Sequence, residues 1–359
     1  MVSGFRRKWH QLRCALAVRT TRSKPVPLAG AKAIPSASVV DNRHCYSQFA
    51  VSRAYSDMNQ VIEVEHLRKT YGPLAAVDDV SFRVEQGEIF GLLGRNGAGK
   101  TTAVECLQGL RRADSGRVRV LGLDPQKDAT ELRRRIGSQL QESALPDRIK
   151  VWEALDLFAA VAPDALDWKM LLEQWGLAEK RRSSFSSLSG GQKQRLFVAL
   201  ALVNNPKLIF LDEMTTGLDP AARRVAWSLI QEIRARGTTV VLVTHFMDEA
   251  EELCDRTAIV DHGKIVACDS PGNLINSHAS EVRVVFGAGG AECAWLSKVA
   301  SVRSVTQRGK TCEVNGTGAV AARVAAALLE HGIEPVDFRI ERPSLEDVFL
   351  KLTGSLVEE

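Results

Sequence analysis

The sequence predicts an α/β fold with parallel strands at its centre, and three segments carry that expectation. A short apolar strand over 88–93 runs straight into the glycine loop Gly94-Arg95-Asn96-Gly97-Ala98-Gly99-Lys100-Thr101, which opens a helix over 101–110. A second apolar strand over 208–211 ends on Asp212-Glu213, and a third over 239–243 ends on Thr244-His245. Short buried strands alternating with helices build a sheet covered on both faces. Ligands of such sheets sit beyond the carboxyl ends of the strands. The glycine loop, the Asp-Glu pair and His245 all belong to that edge, so they can converge.

The bulk numbers narrow the class. At 359 residues the chain exceeds one average domain. Its 45% hydrophobic and 25% charged content is ordinary for a globular protein. No stretch approaches the roughly 20 apolar residues of a membrane helix, so any link to a bilayer must run through another polypeptide. Ten Lys or Arg and only Asp41 and Asp57 precede Met58, a local balance of +8 that against the whole-chain +4 leaves the remainder at −4. A mildly acidic body gives a nucleic-acid surface little support. The seven cysteines, Cys14, Cys45, Cys106, Cys254, Cys268, Cys293 and Cys312, are odd in number and lack a CxxC pair. Metal-ligand and disulfide frameworks both fail on that spacing, and a reducing cytosolic setting fits.

Taken in order, residues 1–57 are rich in Arg, Ser and Ala without sustained apolar periodicity. The composition suits a targeting peptide. The favoured alternative is a basic extension upstream of an initiator at Met58, because a self-sufficient pattern begins at Asn59. Val61-Ile62-Glu63-Val64 alternates as a strand does, and Val80-Ser81-Phe82-Arg83-Val84 alternates again after a Gly72-Pro73 turn. Val151, Leu155 and Phe158 recur at helical spacing and open a helix-rich insert reaching about Gly176. After about Ser277 come a strand over 281–286, an Ala-rich helix over 319–329 and a strand over 338–340. A last helix carries Leu345, Val348, Phe349 and Leu352 on one face, with Ser344 as N-cap and Gly354 as stop. The domains read as 59–277 and a small α+β unit over 278–359.

The chemistry follows from the residue types. A triphosphate is well received by exposed backbone N–H groups, and Gly94, Gly97 and Gly99 keep side chains out of the approach. Lys100 adds a mobile positive charge near the outer phosphates, Thr101 offers a hydroxyl to Mg²⁺, and Thr102 can donate beside it. A bare GxxxxGK[ST] match is also met in ordinary glycine-rich turns; the flanking strand and helix remove that reading here. Asp212 closes a strand where a carboxylate can orient a water on Mg²⁺, and Glu213, one residue on, is the candidate general base for the attacking water. An Asp-Glu pair at a strand end is more often merely solvated, but the run Thr215-Thr216-Gly217-Leu218-Asp219 behind it reverses those odds. His245, followed by the acidic run Asp248-Glu249-Ala250-Glu251, is a candidate contact for the terminal phosphate. Tyr71 could stack on adenine, although a lone Tyr in a turn is more often packing.

Read together, these segments and Leu188-Ser189-Gly190-Gly191-Gln192 resemble the nucleotide-binding subunit of an ATP-binding cassette (ABC) transporter, over about 61–275. The resemblance implies a P-loop NTPase core with an antiparallel β subdomain and a helical insert. It implies ATP and Mg²⁺ as cofactors, with residues 94–102 holding the phosphates and Thr101, Asp212 and a glutamine serving the metal. It also implies a head-to-tail dimer in which Leu188, Ser189, Gly190, Gly191 and Gln192 face the partner's ATP and Asp219 sits at the seam. Of two candidate glutamines, Gln139 and Gln141, the family's spacing from Ile136-Gly137 favours Gln141, which would also touch the membrane subunit. The family usually has Pro after the catalytic glutamate; Met214 here puts the rigidity of that loop in question. The run Arg342-Pro343-Ser344-Leu345-Glu346-Asp347-Val348-Phe349 resembles the daunorubicin-resistance type, separate ATPases that pair with an independent permease for export of drugs, antibiotics or lipids. That implies a cytoplasmic protein held peripherally on the membrane through its permease. The competing classes are a soluble ABC ATPase of cofactor assembly and an importer ATPase. An adjacent permease would separate them.

Overall fold

The computed structural model describes residues 59–139, 144–162, 164–279 and 281–354. The expected extension over 1–57 and the candidate Gln141 lie outside the described residues.

β1 (Gln60–Tyr71) and β2 (Leu74–Glu85) form a long antiparallel hairpin over the Gly72-Pro73 turn. β3 (Ile89–Leu93), the glycine loop and α1 (Lys100–Leu107) follow, and β4 (Ser115–Val120) then pairs with the other side of β1. The helix expected over 101–110 stops at Leu107. Gly109 takes a left-handed φ of 68°, and the amides of Leu110 and Arg111 both fold back onto the Glu105 carbonyl, which ends the helical ladder.

α2 (Ala129–Arg135) leads into β5 (Ile136–Gln139), and α3 (Val151–Val161) and α4 (Trp168–Gln174) make the helical insert. The larger part is completed by α5 (Gly190–Leu202), β6 (Leu208–Asp212), α6 (Pro220–Ala235) and β7 (Thr239–Thr244). It continues through α7 (Met247–Leu253), β8 (Arg256–Asp261), β9 (Lys264–Asp269) and α8 (Pro271–His278).

The main sheet has the order β5-β6-β7-β3-β8-β9, parallel except for its β9 edge. Its central strands read as unbroken apolar runs because both faces are covered. Ile89, Leu93, Ile209, Leu211, Val240 and Leu242 enter the core that includes α3, α4 and α5. Phe90, Leu92, Leu208, Phe210, Val241 and Val243 enter the core shared with the β1–β2–β4 sheet and α1. Burying a side chain of this kind contributes about 1.5–3 kcal/mol, so register is strongly fixed. Leu93 pairs with Thr244 and Asp212 with Val243. Gly94, Glu213 and His245 therefore leave one edge of the sheet side by side.

Beyond α8, β10 (Val282–Gly287), β11 (Val302–Arg308), β12 (Thr311–Gly316), α9 (Val320–Glu330) and β13 (Val336–Glu341) form a second unit. Its antiparallel sheet has the order β11-β12-β10-β13, a split βαβ arrangement in which a 3₁₀ turn (Ala294–Lys298) stands where the first helix would be. α9 covers one face through Val320, Val324 and Leu328 against Val284, Phe286, Cys312 and Val314. The final α10 (Leu345–Thr353) has Ser344 as N-cap and Gly354 as left-handed C-cap. Its buried Leu345, Val348 and Phe349 join the core of the larger part, with Leu253 and Leu274. Glu251 of α7 accepts a hydrogen bond from the Leu345 amide, and Lys351 donates to the His278 carbonyl at 2.8 Å.

Candidate active site

The loop between β3 and α1 is shaped by close backbone contact. Gly99 has φ 101°, and a Cβ there would stand 2.0 Å from the Ala76 carbonyl oxygen of β2. A side chain at 99 would need both a strained backbone and a displaced strand. The Ala98 amide closes a tight turn on the Arg95 carbonyl at 3.1 Å, and the Gly263 amide braces the Ala98 carbonyl at 3.0 Å. Arg95 is half-buried, while Asn96 and Gly97 form the exposed tip. No side chain caps the start of α1, so its first amides remain available for an anion. Thr101 and Thr102 are half-buried on that first turn.

Lys100 is 4% exposed, and its ammonium donates to the carbonyls of Gly94 at 2.7 Å and Arg95 at 3.0 Å. Burial lowers its pKa, and the carboxylates of Glu213 and Asp212 pull it back up. The cation thus lies across its own loop beside two acids. Asp212 is 2% exposed. Burial and the neighbouring Glu213 push its carboxyl up to about 6, partly offset by a hydrogen bond from Thr101 and the charge of Lys100. Its Oδ1 is buried without a hydrogen-bond partner.

Glu213 adopts φ 48°, the left-handed region, which costs a non-glycine residue about 1–2 kcal/mol. Its amide is locked to the Val243 carbonyl of β7 at 2.9 Å, and its Oε1 lies 3.3 Å from His245 Nδ1. Met214, where proline is usual, is buried in the core beneath this turn, so packing anchors a loop that lacks the ring. The strained glutamate and His245 meet at the sheet edge next to Lys100 and Asp212. Positions expected from sequence to act on one phosphate group thus converge in space.

The 188–192 segment is built differently. Leu188 is buried, whereas Ser189 and Gly190 are exposed at the start of α5. Ser189 and Gln192 form a reciprocal capping box, with the Ser189 amide 3.0 Å from Gln192 Oε1 and the Gln192 amide 3.4 Å from Ser189 Oγ. Asp219 is the N-cap of α6, its Oδ1 accepting from the amides of Ala221 and Ala222 at 2.9 Å each. Tyr71 ends β1 and is 39% exposed. Gln139 closes β5 as a buried residue.

Two side chains escaped the sequence reading. Glu249, named from sequence only as part of the acidic run after His245, is fully buried and takes a hydrogen bond from Trp227 Nε1 at 3.1 Å. Burial raises its pKa, opposed by the nearby Thr244 and Thr215 hydroxyls and the Trp227 hydrogen bond. Arg223 of α6 lies 4.1 Å over the Phe246 ring and 3.4 Å from Asp248. These contacts join the helix after Asp219 to the helix after His245. A Trp and a Glu one helical turn beyond the histidine were the only sequence signals. Among the described residues no cluster of three or more His, Cys, Asp and Glu could hold a metal.

Comparison with known proteins gives the family and the fold. The ABC transporter family model matches residues 77–216. The chain is 36% identical over 304 residues to the daunorubicin resistance ATP-binding protein DrrA3 of Streptomyces coeruleorubidus, covering 82% of this chain and 96% of that protein. It is 38% identical over 309 residues to the Nod factor export ATP-binding protein I of Paraburkholderia xenovorans, covering 83% and 98%. Among solved structures, a dimeric post-hydrolysis cassette bound to ADP and Pi is similar at a TM-score of 0.54 and 25% identity, covering 58% of this chain and 98% of that one. An ABC cassette in its ADP conformation is similar at 0.56 and 26%, covering 62% and 95%.

Proposed function

The chain belongs to the ABC transporter family as an ATP-binding subunit that hydrolyses ATP, and from that premise we propose that it powers export of a drug-like, antibiotic or lipid-like molecule through a separate permease. The observation that carries the mechanism is the meeting of Lys100, Asp212, Glu213 and His245 at one sheet edge. Residues 94–102 cradle the phosphates of ATP. Glu213 accepts the proton of the water that attacks the γ-phosphorus, and His245, 3.3 Å away, holds that carboxylate and the terminal phosphate in register.

The donor set fits Mg²⁺. Asp212 has a buried, unpartnered oxygen beside the Thr101 hydroxyl, and Mg²⁺ is commonly bound by one or two carboxylates plus substrate phosphates. Thr101 and Asp212, with Gln141, would hold it, and when bound it supplies positive charge to the phosphate oxygens.

The second partner is another copy of the chain. The exposed start of α5, with Ser189, Gly190 and Gly191, faces the ATP on the partner's phosphate loop, where the helix dipole favours anionic oxygens. Asp219 lies at the seam. A dimeric solved cassette supports this reading. The permease is the third component. No helix among the described residues is long and apolar enough to cross a membrane. A groove of about 530 Å³ beside Gln139, lined by Leu145, Phe158, Val161 and Phe197, offers an apolar seat for a membrane subunit. On this reading the protein works at the cytoplasmic face of the bilayer, held there by its permease. The names of the relatives favour export over import or cofactor assembly.

Purification of the tagged chain from detergent-solubilised membranes of its own cells tests the proposal. One integral membrane protein is expected to co-purify, and amphipathic drugs to raise ATP hydrolysis by the pair. Recovery free of any membrane protein, with hydrolysis indifferent to such compounds, overturns the export reading.

A further inference from the structure

The end of β1 is held in an unusual way. Its pairing with β4 stops at Arg68 and Ser115, and its pairing with β2 is irregular at Lys69 and Thr70. The ladder alone therefore leaves the approach to Tyr71 poorly fixed on the β4 side. Asp114, in the turn before β4, fills that gap. Its Oδ2 accepts from the Thr70 amide at 2.6 Å and the Thr70 hydroxyl at 2.8 Å, its Oδ1 accepts from Lys69 Nζ at 2.8 Å, and its own amide donates to the Arg68 carbonyl at 2.9 Å. Three successive residues leading to Tyr71 are gripped by one aspartate. The Tyr71 ring is braced again from α1. The Arg111 guanidinium lies 5.2 Å from its centroid, and Arg111 is held by the Glu105 carboxylate of that helix.

We propose that Asp114 is the positioning residue that sets Tyr71 as the platform for adenine, with Arg111 as the second brace; this rests on the reading of Tyr71 as that platform. Asp114 touches the strand and not the nucleotide, so its influence is confined to the base end of ATP. The triphosphate end is fixed separately, by the glycine loop and α1. Hydrogen bonds from Lys69 and Thr70 hold the Asp114 carboxyl down to about 2, so the brace stays ionised at any working pH.

The test compares ATP with ribose 5′-triphosphate, which has the phosphates without the base, as substrates of the full chain. Asp114→Ala is expected to raise the KM for ATP about fivefold or more, since a loosened ring loses its stacking on the base. It should leave kcat within about twofold and the ribose 5′-triphosphate KM unchanged. Asp114→Asn keeps one acceptor oxygen and should give a smaller rise, which preserves the test if the alanine variant folds poorly. Tyr71→Ala should match Asp114→Ala, and the double variant should be no weaker than Tyr71→Ala alone. Equal loss for both substrates overturns the proposal, as does an Asp114→Ala protein with parental ATP KM beside a weakened Tyr71→Ala. A Tyr71→Ala variant with unchanged ATP KM instead removes the platform reading itself.

Discussion

The two regions expected to face nucleotide are opposite in construction. Around the glycine loop, Lys100 and Asp212 are almost fully buried, Glu213 is held in a strained backbone, and charges of both signs are packed together. Around 188–192, Ser189 and Gly190 are exposed, and the local hydrogen bonds are complete within one capping box. The first region holds desolvated charges, which an anionic phosphate beside Lys100 and a cation beside Asp212 would together relieve. The second is a relaxed helix start whose Ser189 and Gly190 are exposed. On the proposed head-to-tail reading, the contrast is that between a finished half of one site and a presented half of another.

The largest expected effect probes the buried half. Glu213→Gln removes the general base and should lower turnover about 10²-fold or more, while ATP stays bound and the dimer persists. Phosphate release, nucleotide retention and size-exclusion chromatography read the three outcomes. Hydrolysis at the parental rate would reassign the base.

A smaller effect sharpens the contrast through stability. Ionised Asp212 is disfavoured in the folded state, because its carboxyl is raised from 3.8 to about 6. Its contribution to stability is thus fully present below pH 3.8 and is lost as pH rises through 6. Asp212→Asn should therefore stabilise the nucleotide-free fold at pH 7 by on the order of 2 kcal/mol, the gain shrinking as the pH falls toward 4. Ser189→Ala should do the reverse, losing about 1 kcal/mol of helix cap at every pH. Urea unfolding across pH measures both, and equal signs for the two variants would erase the distinction.

Much of the fold was legible because its signals are local. The glycine loop with its flanking strand and helix, the apolar strands ending in Asp212 and Thr244, and the Ser344 and Gly354 caps each declare themselves within a few residues. What escaped is set by distance along the chain. β8 is recognisable only as the partner of β3, and β9 only as the partner of β8. The apolar face of α10 would look the same whichever core it served, and Glu249 looks solvated until Trp227 is brought against it from α6. The same holds for Asp114, whose partners Lys69 and Thr70 lie more than 40 residues upstream. The left-handed backbone of Glu213 left no mark at all, since its cause is the amide held by β7.

The claim that each nucleotide site is shared between two chains is tested most directly by mixing variants. Lys100→Ala disables the phosphate loop, Ser189→Arg blocks the facing helix, and each alone should be inactive. In a head-to-tail mixed dimer one site carries both lesions and the other carries neither. Equal mixing should then restore about a quarter of the parental ATPase rate, since half of the randomly formed dimers hold one intact site of two. Activity that stays at background at every mixing ratio, with mixed dimers visible by native mass spectrometry, would contradict it.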